Sequence, residues 1–152
     1  MKYRAYRYRL YPNEEQKVLI AKHLGSCRFI YNYALAKKVK AYQVDGTNLS
    51  RFDIQADLPN MKKSDEYCWL KEVNSLSLQA SLANLDSAYT KFFREHKGFP
   101  NFKSKKDSKQ SFSIPQNTKV DFENGRVFIP KFKIGIKAKL HRTFEGIVKS
   151  ST

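Results

Sequence analysis

The side chains of this sequence that could do chemistry are mainly cations set among aromatics. Phe99 and Phe102 stand beside Lys103, Lys105 and Lys106. Further on, Lys131, Lys133, Gly135, Lys137 and Lys139 alternate with Phe132, Ile134, Ile136, Ala138 and Leu140, so an extended backbone there has one lysine face and one apolar face. Arg7 and Arg9 alternate with Tyr6, Tyr8 and Leu10 in the same way. Cations so arranged neutralise phosphates and release counterions, and rings beside them can stack on bases. Other readings stay open: a lysine face also protects an edge strand from aggregation, and the tyrosines fit a β core as well as a stacking surface. Acid–base and metal chemistry have less support. His23, His96 and His141 are scattered, with none at ligand spacing to a cysteine or another histidine. Asp53 and Asp57 are four apart and could share a metal, but they fit better as a solvated helix face with Asp53 in a cap. Asp121 and Glu123 read as turn residues. There is no CxxC pair, phosphate-binding glycine loop or GxSxG elbow.

The elements that must position these groups follow from periodicity and punctuation. Residues 2–10 read as a strand, and Tyr11-Pro12-Asn13 as a turn. Asn13 with Gln16 makes a capping box for a helix near 14–24, whose stripe is Leu19, Ile20 and Leu24. Gly25-Ser26 is read as a break, with a second helix near 27–44 ended by Gly46. That pair could be a helix-turn-helix, its second helix carrying Arg28, Lys37, Lys38 and Lys40 into a groove. A plain helix pair with lysines outside has the same pattern. Ser50 and Asp53 cap a further helix that Pro59 should kink or end. Trp69-Leu70 is read as a buried anchor in a loop. Leu78, Leu82, Leu85, Tyr89 and Phe92 predict a long helix over about 75–95, stopped by Gly98 and Pro100. The period then changes to two. Phe112 and Ile114 suggest a short strand, Asn124-Gly125 a type I′ hairpin turn, Gly135 a bend, and Ile147 the start of a last strand.

Length and charge narrow the classes. The chain has 152 residues, a net charge of +15 and a pI near 9.8. The charge is +8 over 1–44, −2 over 45–96 and +9 over 97–152. A balance this basic calls for a polyanionic partner, first a nucleic acid and second a membrane surface. No apolar run is long enough to span a bilayer, and the start MKYRAYRYRL lacks the apolar segment of a signal peptide, which points to the cytoplasm. Cys27 and Cys68 fit that compartment as buried small hydrophobes, with no disulfide between them. The two basic ends should meet as one cationic surface, with the middle as a helical scaffold.

Several blocks, in order, resemble the TnpB proteins of bacterial insertion sequences, RNA-guided DNA nucleases related to type V CRISPR effectors. They are YRYRLYPNEEQ, GSCRFIYNYAL, WLKEVNSLSLQASLANLDSAYTKFF, GFPNFKSKK, SFSIPQ, ENGRVFIPKF and LHRTFEG. The resemblance implies an α+β fold in which a helical recognition lobe over 11–98, with a helix-turn-helix-like start, is inserted into an incomplete wedge-type antiparallel β-barrel formed by 1–10 and 99–152. It implies a transposon-derived guide RNA and double-stranded target DNA as partners, in a bacterial or archaeal cytoplasm. Carried over by position, the start of the long helix faces a short motif beside the DNA target. Ser75, Leu76 and Gln79 would read it, with Arg51 and Ser113 in the same set. Gln79 is the strongest base reader, because glutamine pairs bidentately with adenine. Arg51 stands where a related member has Tyr, and Ser75 where it has Lys, so the motif itself stays open. The backbone contacts would come from Arg7, Arg9, Arg28, Lys37, Lys103, Lys105, Lys106, Lys131, Lys133, Lys137 and Lys139. Family members cut DNA with a RuvC-like domain whose three metal-binding acids lie further along than Thr152. The expectation is therefore a recognition portion with no catalytic residue or metal site of its own, Mg²⁺ belonging to the nuclease domain. An unfinished barrel edge near Ile147–Thr152 would favour self-association. Two rivals stand beside this reading: an RNA-independent helix-turn-helix accessory factor of transposition, and a piece of an active metal-dependent nuclease.

Overall fold

The computed structural model describes residues 2–152. The chain enters its first helix through a capping box, with Asn13 Oδ1 accepting from the Gln16 N–H at 2.8 Å and Gln16 Oε1 from the Asn13 N–H at 2.9 Å. This helix, α1, is continuous over Glu14–Asp45. The expected break at Gly25-Ser26 does not occur, so the segment is one helix rather than two joined by a turn. A mid-helix glycine costs about 1 kcal/mol relative to alanine. Packing outweighs that, because Ser26, Cys27, Ile30, Tyr31, Ala34 and Leu35 follow it as one buried stripe. Gly46 ends the helix at φ 67°.

Ser50 and Asp53 form the second capping box and open α2, Arg51–Gln55. The next helix, α3, spans Leu58–Lys63. As expected, the helix opened by Ser50 does not run through Pro59: α2 ends at Gln55, four residues before it, and Pro59 lies in the first turn of α3, where its missing N–H has no intrahelical partner to lose. A 3₁₀ turn follows at Cys68–Glu72, and Cys68 at its start is exposed rather than buried as expected, whereas Cys27 is buried. Of the expected anchor pair there, only Leu70 is fully buried, and Trp69 remains 38% exposed. Asn74 caps α4, Ser75–Glu95, as its periodicity predicts. The stop comes earlier than Gly98: His96 takes the left-handed conformation at φ 55°. Leu78, Leu82 and Leu85 of α4 pack with Ile30, Ala34 and Leu35 of α1 and with Ile54, Leu58, Met61, Leu70 and Val73 in one core.

The strands form an open antiparallel sheet in the order β1-β4-β3-β2, with β1 at Arg9–Tyr11, β2 at Lys119–Asp121, β3 at Arg126–Phe128 and β4 at Ile136–Lys139. The first strand therefore joins the later ones, and the helices lie between them in sequence. Several strands are shorter than expected. Residues 2–8 are not in the ladder, although Tyr6 and Tyr8 pack on Phe144 and His141. Ile114 and Ser151 make a single antiparallel bridge in place of two strands, and Ile147 is 98% exposed. The β2–β3 connection has four residues, not two. Gly125 alone among them has positive φ, and Asp121 bonds the Asn124 N–H and side-chain amide, so the turn is not type I′. Val127, Phe132, Ile136 and Ile114 are buried beneath the sheet, whereas Ile134 is exposed. Among the described residues no helix is long and apolar enough to cross a membrane.

Candidate nucleic-acid interface

Strand register decides which side chains share a face. Arg9 is opposite Lys139 and Tyr11 opposite Lys137. Lys137 is also opposite Arg126, Phe128 opposite Lys119, and Arg126 opposite Asp121. Because opposed residues project to the same side and alternate residues repeat it, one face carries Arg9, Lys119, Arg126, Lys137 and Lys139 with Tyr11 and Phe128 among them. The apolar residues Leu10, Val120, Val127, Ile136 and Ala138 take the other face. Like charges stand directly opposite each other at Arg9–Lys139 and Arg126–Lys137, which destabilises a sheet by itself. Among the described residues none of the five cations has a carboxylate within 4 Å. Asp121, the one acid here, is engaged by Asn124, whose hydrogen bonds hold its carboxyl below the usual range.

The same topology removes the rival explanation for Lys137. β4 is hydrogen-bonded to β1 on one side and, at Ile136 and Lys137, to β3 on the other. It is an interior strand there, so Lys137 does not guard an edge, while Lys139 is paired with β1 alone. Gly135 lets the Phe128 ring lie across this face. A Cβ there would come within 2.9 Å of the ring and 3.0 Å of Arg126 Cβ.

The start of α4 is fixed by a residue whose role is not legible in the sequence. His23 on α1 is buried, with Nδ1 2.8 Å from the Leu19 carbonyl, so Nδ1 carries the proton. Its Nε2 then accepts from the backbone N–H of Asn74, the cap of α4, at 3.1 Å. The ring stacks on Phe112 at 4.9 Å and meets Phe132 at 5.5 Å. Burial pushes its pKa down, and the charge of nearby Lys131 acts the same way, against the opposing effect of the Leu19 bond. His23 thus ties α4 to the segment carrying Ser113. Ser75, Leu76, Gln79 and Ser113 are all half-buried; Ser75 and Leu76 directly follow the Asn74 cap, and Ser113 directly follows Phe112. Arg51 lies apart. Its guanidinium is 3.7 Å from Asp86 and 4.8 Å from the Phe52 ring. Asp86 is eleven residues past Ser75, about 16 Å along the helix axis. Gln79 and Asp86 are seven residues apart and share a helix face, so Arg51 extends the Gln79 row rather than joining Ser75.

The basic strap after α4 is docked on α1. Asn32 receives the Lys103 N–H at 2.8 Å and donates to the Lys103 carbonyl at 2.9 Å. Lys103 Nζ lies 4.6 Å from the Tyr31 ring centroid, and Arg28 reaches Gln110 at 3.3 Å. Asn32 is a second positioning residue that the sequence reading misses. Lys105, Lys106, Lys133 and Arg7 are exposed. Lys131, at φ 73°, donates to the Lys71 carbonyl at 3.3 Å. Lys37 is paired with Asp57, the bond that raises its pKa most. Lys38 is buried, bonded to the Leu49 carbonyl and placed over Tyr89. That makes it a structural cation rather than a groove contact.

Comparison with known proteins now places the chain. A family model described as a helix-turn-helix domain, of the OrfB/IS605 type, matches residues 1–47. "Putative RNA-guided DNA endonuclease InsQ" of Escherichia coli (strain K12) is 34% identical over 148 residues, covering 97% of this chain and 36% of that protein. A "Putative RNA-guided DNA endonuclease" of Streptomyces pristinaespiralis is 32% identical over 128 residues, covering 84% and 32%. "Virulence protein VsdF" of Salmonella dublin is 37% identical over 105 residues, covering 63% and 88%. The chain spans about a third of the length of the two endonuclease relatives.

Proposed function

Because the chain belongs to the TnpB family, we propose that it is the nucleic-acid-recognition portion of a transposon-encoded, RNA-guided DNA endonuclease. The observation that carries this reading is the sheet face. Five cations and two aromatics share it, with like charges opposed across strands and no carboxylate within salt-bridge distance of any of the five among the described residues. Phosphates would relieve that repulsion, and Tyr11 and Phe128 offer flat surfaces to bases. In this reading β1 and the strands after the strap form the wedge that grips guide RNA. The helices form the recognition lobe, and the start of α4 meets the motif beside the DNA target, with Gln79 as base reader and Ser75, Leu76 and Ser113 around it. The neutral His23 clamp keeps the α4 start in place, and Arg51 extends the reading surface. The chain itself supplies binding. In this reading, cutting with Mg²⁺ would fall to a RuvC-like domain of the kind the family resemblance implies.

The test is binding of this chain to guide RNA and then of the pair to duplexes with varied target-adjacent motifs. Motif-selective duplex binding that requires RNA supports the proposal. Site-specific cutting by this chain with RNA, duplex and Mg²⁺ would contradict it. The second reading, an RNA-independent duplex-binding factor, draws on the helix-turn-helix description of the model matching 1–47. The uninterrupted α1 speaks against its geometry, and tight sequence-selective duplex binding without RNA would favour it.

A further inference from the structure

A groove of about 500 Å³ opens between α1 and the 3₁₀ turn, lined by Lys22, Gly25, Ser26, Trp69 and Glu72. Its volume falls in the roughly 300–1,000 Å³ range of small-ligand sites. Trp69 is the chain's one tryptophan. Its indole N–H donates to the Glu66 carbonyl at 2.9 Å, and Phe29 meets the ring edge-on at 5.1 Å. The ring is therefore held in place while 38% of the residue stays exposed. Gly25 adds a second, independent observation. It sits mid-helix, where glycine is disfavoured, and no packing requirement explains it. A Cβ at Gly25 would meet only Arg28 Nη2, at an ordinary 3.6 Å. Gly135 is the contrast, since a side chain there would collide. Gly25 lines the groove, and a side chain there could be accommodated without a clash.

We propose that this groove is a slot for one unpaired nucleobase of a single-stranded polynucleotide. The proposal rests on the nucleic-acid reading above and adds a site to it. Three features fit a nucleotide. Trp69 offers a stacking surface. Lys22 and Glu72, paired at 2.7 Å and each half-exposed, put a donor and an acceptor at the rim for a base edge. Arg28 supplies a cation next to Gly25 for the adjoining phosphate. Bases in a duplex are stacked and paired, so an unpaired one is required.

The test uses the whole chain and end-labelled oligothymidylate and oligouridylate of about 12 nucleotides. Label anisotropy reports binding anywhere, and tryptophan fluorescence reports the slot alone. The expected result is quenching of Trp69 in step with the anisotropy, and the strand that quenches more identifies DNA or RNA as occupant. Gly25→Leu should abolish quenching while anisotropy still shows binding. Trp69→Ala should weaken binding by about 5- to 150-fold. Gly25→Ala, read by melting temperature, should raise stability and reduce quenching, which separates slot loss from misfolding. Binding with unchanged Trp69 fluorescence would overturn the slot and leave the nucleic-acid reading standing. No change in either signal would overturn both.

Discussion

Exchanging Lys137 and Lys139 for glutamine removes two of the five cations on the sheet face and separates binding from folding. If each of the five meets a phosphate of single-stranded guide RNA, the slope of log affinity against log salt is about −3.5, and affinity falls about 130-fold between about 50 and 200 mM salt. With three cations the slope becomes about −2.1 and the same change costs about 18-fold. The fold should respond with the opposite sign. Lys137 opposes Arg126 and Lys139 opposes Arg9, and relieving each like-charge pair should stabilise the sheet by about 0.2–1 kcal/mol. Affinity by anisotropy across a salt series and urea denaturation of both proteins supply the two numbers. An unchanged slope, or a destabilised variant whose weaker binding follows its unfolded fraction, would mean that Lys137 and Lys139 do not meet phosphates.

Gln79→Ala should relax recognition at one base position of the DNA motif by about 1–3 kcal/mol, read by binding to single-base motif variants; equal weakening on every variant would mark Gln79 as structural. Gly25→Ala should raise stability by about 1 kcal/mol in urea denaturation, and a loss would mean that the glycine is needed by the helix itself. Gln16→Ala breaks the capping box and the bond from Gln16 Nε2 to the Ile134 carbonyl, 3.1 Å long. It should cost about 1–3 kcal/mol, and a cost near zero would show that water replaces both. For His23, burial lowers the folded pKa below the ordinary 6.5, so the unfolded chain binds the proton more readily. Its contribution is complete above about pH 6.5 and is lost as pH falls through and below that value. Denaturation at pH 5 to 8 should show this fall, and His23→Gln should remove it; a slope that survives the substitution would assign it to other groups.

Signals that act over three or four residues are legible in this sequence. The Asn13–Gln16 and Ser50–Asp53 boxes form as read, and α4 begins and buries its stripe where periodicity says. Long-range decisions are not legible. Gly25 reads as a break because glycine is a poor helix former, yet the buried stripe packed against α4 carries α1 through it. Trp69 reads as an anchor because it is large, but its neighbour Leu70 fills the core. His23 and Asn32 look ordinary because their partners are 51 and 71 residues away. The lysine alternation at 131–139 is visible. Its meaning depends on β4 lying between β1 and β3, and on the register that sets Arg9 and Arg126 opposite those lysines. Neither pairing has a local signal.

Lysine footprinting asks whether the sheet face meets RNA. The chain is acetylated at low reagent concentration, with and without bound RNA, and each site is quantified by mass spectrometry. Protection is expected at Lys119, Lys137 and Lys139 on the sheet face, while exposed Lys40 on α1 reacts equally in both states. Equal reactivity at the three sheet lysines, with protection confined to helical lysines, would contradict this expectation.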